Sequence, residues 1–190
     1  MLGQKPLKIT NNALEFELKL ACHNINGLKS NNQKLLHLLT WAKEKEIDIL
    51  GVTETNLSDK EGRYILTPDS SFKSYWTSSS PNKKKGSGLG VLISEKIQKY
   101  IGSIQKHNEY LLEFHIISKH LKLDILIVYL PPNDPKQVKL IQQQIVSIYL
   151  DRAKNFEIII MGDFNHIMST ELDKSSSSNT TVYKKLPLHN

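Results

Sequence analysis

Two strand–helix–strand patterns, one in each half of the chain, place the strongest limit on the fold. In the first, residues 14–25 alternate between apolar and polar side chains, with the period of a half-buried strand. The next apolar side chains recur at helical spacing, which predicts a helix over residues 30–45, opened by a capping box between Ser30 and Gln33. Residues 47–53 form a short β-branched apolar run, which predicts the second strand.

The second unit repeats this plan. Residues 121–129 predict a strand, and a Pro-Pro-Asn sequence ends it. Asp134 and Gln137 then form a capping box with Pro135 at the first helical position. The apolar stripe of this helix consists of Val138, Ile141, Ile145 and Ile148. Residues 157–161 predict the next strand, which ends at an aspartate. Three shorter strand patterns lie between the two units, over residues 72–77, 88–93 and 110–117. The whole pattern predicts an α/β fold.

Composition predicts one folded domain. The chain has 190 residues, of which 39% are hydrophobic and 23% are charged. Its single cysteine, Cys22, excludes an internal disulfide and fits an intracellular, reducing location, without deciding between nucleus and cytoplasm. Cys22 lies in an apolar-alternating run, so we interpret it as a small core residue and not as a nucleophile. The longest uninterrupted apolar run, residues 125–130, is too short to span a bilayer.

The charge of the chain favours polyanionic partners. Its net charge is +6, carried mostly by lysine, and a basic surface attracts nucleic acid above all. The densest basic cluster is Lys83, Lys84 and Lys85, within a polar segment rich in glycine, proline and serine. These lysines are either contacts to a nucleic-acid backbone or a solvated loop tip, and the sequence leaves both readings open.

Four predicted strands end on a residue that can take part in chemistry. They deliver Asn24, Glu54, Tyr129 and, from the last strand, Asp163 with Asn165. Each has a simpler reading, since an asparagine serves turns, a glutamate caps helices and a tyrosine can be a core ring with a hydrated hydroxyl. In layered α/β folds, however, sites gather outside the carboxyl ends of strands. We therefore expect these side chains to share one crevice.

The chemistry of this set is coherent. Glu54 and Asp163 offer the hard oxygen ligands that magnesium and manganese prefer. Asn24, Asn165 and the Tyr129 hydroxyl are neutral groups that can orient phosphate oxygens, and Asp163 can also orient or deprotonate a water. No histidine or cysteine spacing typical of zinc and no phosphate-binding loop of the Walker type is present in the sequence.

Five motifs in order resemble the endonuclease/exonuclease/phosphatase superfamily, and especially the apurinic-type endonuclease domains of LINE-type retrotransposons. The motifs are Asn24-Ile-Asn-Gly-Leu28, Thr53-Glu-Thr-Asn-Leu57, Gly88-Leu-Gly-Val-Leu-Ile93, Tyr129-Leu-Pro-Pro-Asn133 and Met161-Gly-Asp-Phe-Asn165. Together with their flanking strands they cover residues 15–165. The resemblance implies a four-layer α/β/β/α sandwich and cleavage of phosphodiester bonds with Mg²⁺, or Mn²⁺ in its place.

The resemblance also implies a role for each matched residue. Glu54 is the metal ligand, Tyr129 touches the scissile phosphate, and Asp163 positions and activates the attacking water. Asn24 and Asn165 contact phosphate or hold neighbouring catalytic groups. A further phosphate contact is expected from Asn26, where many relatives carry aspartate. The expected partner is DNA first and RNA second, with no membrane.

One part of the family pattern is missing from the sequence. The family uses a late aspartate and a Ser-Asp-His motif near its end, whereas after Asn165 this chain offers only Asp173, His166 and His189 outside any Asp-His pair. We therefore expect an incomplete second sheet and low activity, from a fragment of a longer polyprotein or from a decayed remnant. A non-catalytic protein that binds metal or nucleic acid, and a phosphatase of the same superfamily, are the alternatives. The predicted organisation is an N-terminal extension (1–14), the nuclease-like domain (15–168) and a flexible polar tail (169–190).

Overall fold

The computed structural model describes residues 7–9, 16–29, 32–66, 71–79, 86–119 and 121–165. The strands are β1 (Leu7–Ile9), β2 (Phe16–Leu18), β3 (Leu20–Asn24), β4 (Ile49–Thr53), β5 (Phe72–Trp76), β6 (Leu89–Ser94), β7 (Ile101–Asn108), β8 (Leu111–Ile117), β9 (Lys122–Tyr129) and β10 (Glu157–Asp163). The helices are α1 (Gln33–Glu44), α2 (Asp59–Arg63), α3 (Glu95–Gln98) and α4 (Pro135–Arg152). None of the helices described here is both long and apolar enough to cross a membrane.

Two four-stranded sheets form the centre of the fold. The first sheet has the order β3-β4-β6-β5 and the second the order β10-β9-β8-β7, while β1 and β2 form a separate two-stranded antiparallel ribbon. The two sheets face each other, and Ile49, Val91 and Ile127 pack in the layer between them. Because the side chains of a strand alternate between two faces, Leu50 and Val52 point the other way and pack against α1.

Helices cover the outer faces of both sheets. On the first sheet, α1 buries Leu35, Leu39 and Ala42. On the second sheet, α4 packs with Ile141 fully buried and Ile145 and Ile148 partly buried, in agreement with the predicted stripe. The order of layers is helix, sheet, sheet, helix, so the predicted four-layer α/β/β/α sandwich is confirmed.

Two local predictions differ from the structure. The described part of the strand predicted over residues 14–25 is divided into β2 and β3, because the backbone N–H of Lys19 leaves the ladder and donates to Asp48 Oδ2 at 3.0 Å. Helix α1 begins at Gln33, so Gln33 does not stand at the third helical position that a capping box from Ser30 requires. Ser30 itself lies outside the described residues.

The predicted cap by Asp134 and the proline at the first position of α4 are confirmed. Asp134 accepts a hydrogen bond from the backbone N–H of Gln137 at 3.0 Å, and Pro135 is the first helical residue. This cap satisfies a backbone donor that would otherwise be without a partner. The cap therefore fixes where the chain turns after Tyr129, at the end of β9.

Candidate active site

Parallel pairing brings the ends of four strands to one edge of the sandwich. In the first sheet β3 pairs with β4 in parallel, with Asn24 opposite Thr53. In the second sheet β9 pairs with β10 in parallel, with Asp163 opposite Tyr129. Since β10 also packs against β3 and β4, the carboxyl ends of both pairs open toward the same place. The side chains that the sequence singled out are brought together there.

Asn24 joins the two carboxylates. Its side-chain amide donates one hydrogen bond to Glu54 Oε1 and another to Asp163 Oδ2, both at 2.8 Å. Glu54 and Asp163 belong to different sheets and are both half-buried, so without a shared donor their like charges would repel each other. The side-chain oxygen of Asn24, Oδ1, accepts a hydrogen bond from the backbone N–H of Asn26 at 3.0 Å. Asn24 thus serves a turn, as its simpler reading proposed, and bridges the two acids as well.

Tyr129 completes the contact with Glu54. Its hydroxyl is hydrogen-bonded to Glu54 and lies close to Asp163 and Asn165, and burial in this anionic surrounding raises the pKa of Tyr129 well above its usual value. Burial is the largest cause of this shift, followed by the hydrogen bond to the Glu54 carboxylate. The Tyr129 hydroxyl therefore stays protonated and acts as a neutral donor. The ring of Tyr129 stacks on that of Tyr110, with 6.2 Å between the ring centroids.

The loops at this edge have unusual backbone conformations. Asn26, Glu54, Asn56 and Asn165 all have positive φ angles, between 45° and 54°. Asparagine tolerates this region, but a glutamate there is rare and indicates a local conformation that the surroundings enforce. The conformation aims the Glu54 side chain at Asn24 while its carbonyl accepts the Gly27 N–H at 2.7 Å. Glu54, the residue with this rare backbone conformation, is also the expected metal ligand.

Asn165 holds the end of β10. Its backbone N–H donates to Asp163 Oδ1 at 3.0 Å, and its side-chain amide donates to the carbonyl of Leu130 at 2.8 Å. Each oxygen of Asp163 therefore accepts one hydrogen bond, from Asn165 or from Asn24. Asn26 is exposed, and among the described residues its hydrogen bonds are made by its backbone, so its side chain remains available for the predicted phosphate contact.

Two residues that the sequence did not single out support the site. Lys34 on α1 donates to the carbonyls of Ile25 at 3.2 Å and Asn26 at 3.0 Å, which holds the loop that follows β3. Asn56 contacts the neighbouring loop through its backbone N–H, which donates to Ser87 at 2.9 Å. The position of Asn56 within the second motif was the only signal for it, and no periodicity marks Lys34.

Gly162 allows β10 to approach β9 closely. A Cβ atom at Gly162 would lie 1.9 Å from the carbonyl oxygen of Val128 and 2.7 Å from its carbon. Because both are backbone atoms of the partner strand, a side chain could be placed only by separating the strands. Glycine before Asp163 is therefore a geometric requirement for the position of that carboxylate.

The donor set fits a divalent cation. Two carboxylates, Glu54 and Asp163, face one point, and in the described part of the chain no lysine or arginine forms an ion pair with either. Magnesium binds through one or two carboxylates and completes its shell with water and substrate phosphate. Each carboxylate oxygen retains a lone pair beyond the protein hydrogen bond, so there is capacity for such a cation.

The remaining predicted residues are not part of this group of contacts in the described chain. Lys83, Lys84 and Lys85, and the late Asp173, His166 and His189, fall outside the described residues. Cys22 lies on β3, where burial raises the pKa of its thiol to about 12 and the charge of Asp163 adds to this effect. Cys22 is half-buried, so the predicted core position is met only in part, while the raised pKa keeps the thiol protonated and argues against a nucleophile.

The chain is similar to known proteins in sequence and in fold. The family model described as "Endonuclease/Exonuclease/phosphatase family" matches residues 21–180, whereas a search of curated proteins gave no significant match. The AP endonuclease LMAP from Leishmania major superposes with a TM-score of 0.62 at 14% identity, over 85% of this chain and 59% of that chain.

Two further solved structures share this fold. The D. rerio TDP2 complexed with single strand DNA product has a TM-score of 0.55 at 16% identity, over 79% of this chain and 61% of that chain. The 3′ phosphatase NExo from Neisseria, bound to a product DNA hairpin, has a TM-score of 0.56 at 13% identity, over 78% of this chain and 58% of that chain. The chain thus spans about three fifths of the length of these structures. Because the family model matches most of its residues, the chain belongs to the endonuclease/exonuclease/phosphatase family.

Proposed function

We propose that the chain is a divalent-metal-dependent phosphodiester hydrolase that acts on nucleic acid. Members of its family are metal-dependent nucleases and phosphodiesterases. The observation that carries the proposal is the Asn24 amide, which holds Glu54 and Asp163 together at 2.8 Å each at the common edge of both sheets. Two carboxylates from different sheets, joined by a neutral donor, suit metal-assisted hydrolysis of an anionic ester.

The roles follow from this arrangement. Glu54 would hold Mg²⁺ or Mn²⁺, and the bound cation would supply positive charge to the phosphate oxygens. Asp163, held by Asn24 and Asn165, would orient the attacking water and accept its proton. Tyr129, which stays protonated, would donate to a non-bridging oxygen of the phosphate. Asn24 keeps the two carboxylates in register throughout.

DNA is the substrate that we propose first, with RNA second. The net charge of +6 favours a polyanion. Two structural neighbours are bound to DNA products, a single strand with TDP2 and a hairpin with NExo. Lys83, Lys84 and Lys85 remain proposed contacts to the nucleic-acid backbone. An intracellular location and an origin in a LINE-type retrotransposon remain proposals that rest on composition and on the five motifs.

We also propose that the chain by itself is a slow enzyme. Among the residues described here, no histidine contacts Glu54, Asp163 or Tyr129, so none of them supplies a histidine donor to the charge that develops on the phosphate. Loss of one acid or electrostatic group typically costs on the order of 10²–10⁴ in rate.

The test is nicking of supercoiled plasmid with the chain in excess over DNA. We expect slow nicking that requires Mg²⁺ or Mn²⁺ and is lost in Asp163→Asn. Equal nicking by wild type and Asp163→Asn would refute the catalytic assignment. Fast multiple-turnover nicking by the wild type would refute only the proposal of low activity. DNA binding without any metal-dependent nicking would instead indicate the non-catalytic alternative.

A phosphatase is the second candidate, because one structural neighbour is described as a 3′ phosphatase. An oligonucleotide that carries a 3′ phosphate distinguishes the two activities in the same assay. Release of inorganic phosphate with an intact backbone would favour the phosphatase, whereas chain cleavage favours the nuclease.

A further inference from the structure

A second group of ionisable side chains lies far along the second sheet from the candidate active site. Glu113 and His115 are on β8, and Asp124 is paired with His115 across the ladder to β9. Their side chains point away from the first sheet, toward the carboxyl-terminal end of α4. All three residues are buried, with exposed fractions of 1% for Glu113, 7% for His115 and 0% for Asp124. The nuclease site uses none of them.

The three side chains converge on one point. The ring nitrogen Nε2 of His115 lies 3.0 Å from Glu113 Oε1 and 3.4 Å from Asp124 Oδ1. The candidate ligand atoms are this nitrogen and one oxygen from each carboxylate. All three atoms lie within 4.8 Å of one another. The ligands of a tetrahedral zinc ion, at bond lengths of 2.0–2.1 Å, are about 3.3 Å apart. Two of the three edges already have this length.

The buried Asp124 carboxylate is held only weakly by its neighbours, since the contact of its Oδ1 with His115 Nε2 is 3.4 Å long. Neither of its oxygens has a hydrogen-bond partner among the described residues, although its side chain is fully buried. Buried ionised groups are ordinarily paired, hydrogen-bonded or bound to a metal, because removing the charge from water is costly. The Asp124 carboxylate is aimed at His115 and Glu113, so the missing partner belongs between these three residues.

The surroundings resemble the outer shell of a metal site. The other ring nitrogen of His115, Nδ1, lies 2.8 Å from Ser103 Oγ, which fixes the orientation of the ring. His107 Nε2 contacts Glu113 Oε2 at 2.6 Å, and the ring of Phe156 packs on His115 at 4.8 Å. Metal-bound histidines and carboxylates are held by such second contacts, which set the tautomer and the direction of the ligand atom.

Arg152 also contacts Glu113, one of the three residues of this cluster. Its Nε lies 3.3 Å from Glu113 Oε1, while its Nη1 lies 3.0 Å from the exposed Asp151 carboxylate. The side chain of Arg152 is 29% exposed, so it can keep the Asp151 contact while a metal takes Glu113 Oε1. A cation at this point would tie β8 to β9 beneath the end of α4.

We propose that Glu113, His115 and Asp124 form a second, structural cation site that binds one zinc ion. The ligand atoms are Glu113 Oε1, His115 Nε2 and Asp124 Oδ1. Imidazole with two carboxylates is a donor set that suits Zn²⁺, and a water would complete the tetrahedron. The site is separate from the Glu54 centre, where the ligands are carboxylates without an imidazole.

The test is a titration of the metal-stripped full chain with Zn²⁺ alone, at neutral pH, by calorimetry. We expect one equivalent to bind in the wild type and in Glu54→Gln, and this equivalent to be absent in Asp124→Asn and in His115→Gln. Ser103→Ala, which removes only the outer contact, should weaken the site by about 10–100-fold. His37→Ala, at an exposed histidine of α1, is the matched control and should bind as the wild type does.

Co²⁺ gives a second readout, since a tetrahedral site with an imidazole ligand absorbs visible light much more strongly than an all-oxygen octahedral site does. The absorption should appear in the wild type and disappear with Asp124→Asn. Zinc binding that is unchanged in both Asp124→Asn and His115→Gln would overturn the proposal. Absence of a stoichiometric zinc equivalent in the folded wild type would overturn the proposal as well. A proton shared within the cluster would then take the place of the cation.

Discussion

Replacement of Gly162 by alanine is expected to separate the two strands that place Asp163. The new Cβ atom would lie 1.9 Å from Val128 O, whereas real Cβ atoms essentially never approach another atom closer than 3.0 Å. Because the obstacle is backbone in a parallel ladder, β10 would have to move by roughly 1 Å or more to relieve the contact. Overpacking of this kind typically costs 1–3 kcal/mol and sometimes more, and here no side chain can rotate away. We expect a loss of at least about 3 kcal/mol in the free energy of unfolding, and a melting temperature lower by about 6–12 °C.

The assay is equilibrium urea denaturation of the wild type and two glycine variants. Gly102→Ala is the matched control, since the tightest contact of its Cβ would be Ile117 Cδ1 at 3.0 Å, the far end of a side chain that can turn, and Ile117 Cγ1 at 3.5 Å and His115 Cβ at 3.7 Å lie at ordinary contact distance. That variant should change stability by less than about 1 kcal/mol. In whatever fraction of Gly162→Ala folds, metal-dependent nicking should also be lost, because Asp163 would leave the 2.8 Å contact with Asn24. Equal stability of the two variants would refute the argument that close approach of β10 and β9 requires glycine.

Three further outcomes are expected. Asn24→Ala removes the donor that Glu54 and Asp163 share. It should therefore lower the free energy of unfolding by about 1–2 kcal/mol without metal, and by less with saturating Mg²⁺. An equal loss with and without Mg²⁺ in urea denaturation would contradict this. Because burial raises the pKa of Cys22 from 9.0 to about 12, the folded state binds the thiol proton more tightly than the unfolded state, and stability should fall as pH rises above about 9. Cys22→Ala should remove that part of the pH dependence, and a profile identical to the wild type would argue against the buried thiol. Replacement of residues 83–85 by alanine should reduce the slope of log affinity for duplex DNA against log salt by as much as about 2.7 if all three lysines contact phosphate, and an unchanged slope in filter binding would identify a solvated loop.

The sequence was sufficient for the parts of the fold that have a clear period. Strand β9 contains most of the longest apolar run of the chain, residues 125–130, and α4 carries a helical stripe with a proline at its start, and both occur where they were predicted. Strand β7 was missed because its buried and exposed positions do not alternate, and the register with β8 shifts twice along its length. Helix α2 was missed as well, since five residues are too few to show a period, although Ser58 and Glu61 form a capping box.

The candidate site was predictable in its members and not in its contacts. The polar strand ends predicted that Asn24, Glu54 and Asp163 would share one edge, because parallel strands carry their carboxyl ends to the same side. The bridge by Asn24 to Asp163 joins residues 139 positions apart, and no local pattern specifies such a pair. The Glu113–His115–Asp124 cluster was also missed. Its polar side chains are scattered among the apolar residues of β8 and β9, and only the register between the two strands places His115 beside Asp124.

The binding of Mn²⁺ at the Glu54 edge tests the central claim most directly. Mn²⁺ broadens the NMR signals of nearby amides, so a titration of the labelled chain locates the cation by residue. To exclude the proposed zinc site, the titration is carried out in the Asp124→Asn background with and without Glu54→Gln. We expect selective loss of the amide signals of residues 24–27, 54–56 and 163–165. No signal should be lost there once Glu54 is replaced. Broadening that persists after Glu54→Gln, or signals at this edge that never respond to Mn²⁺, would contradict it.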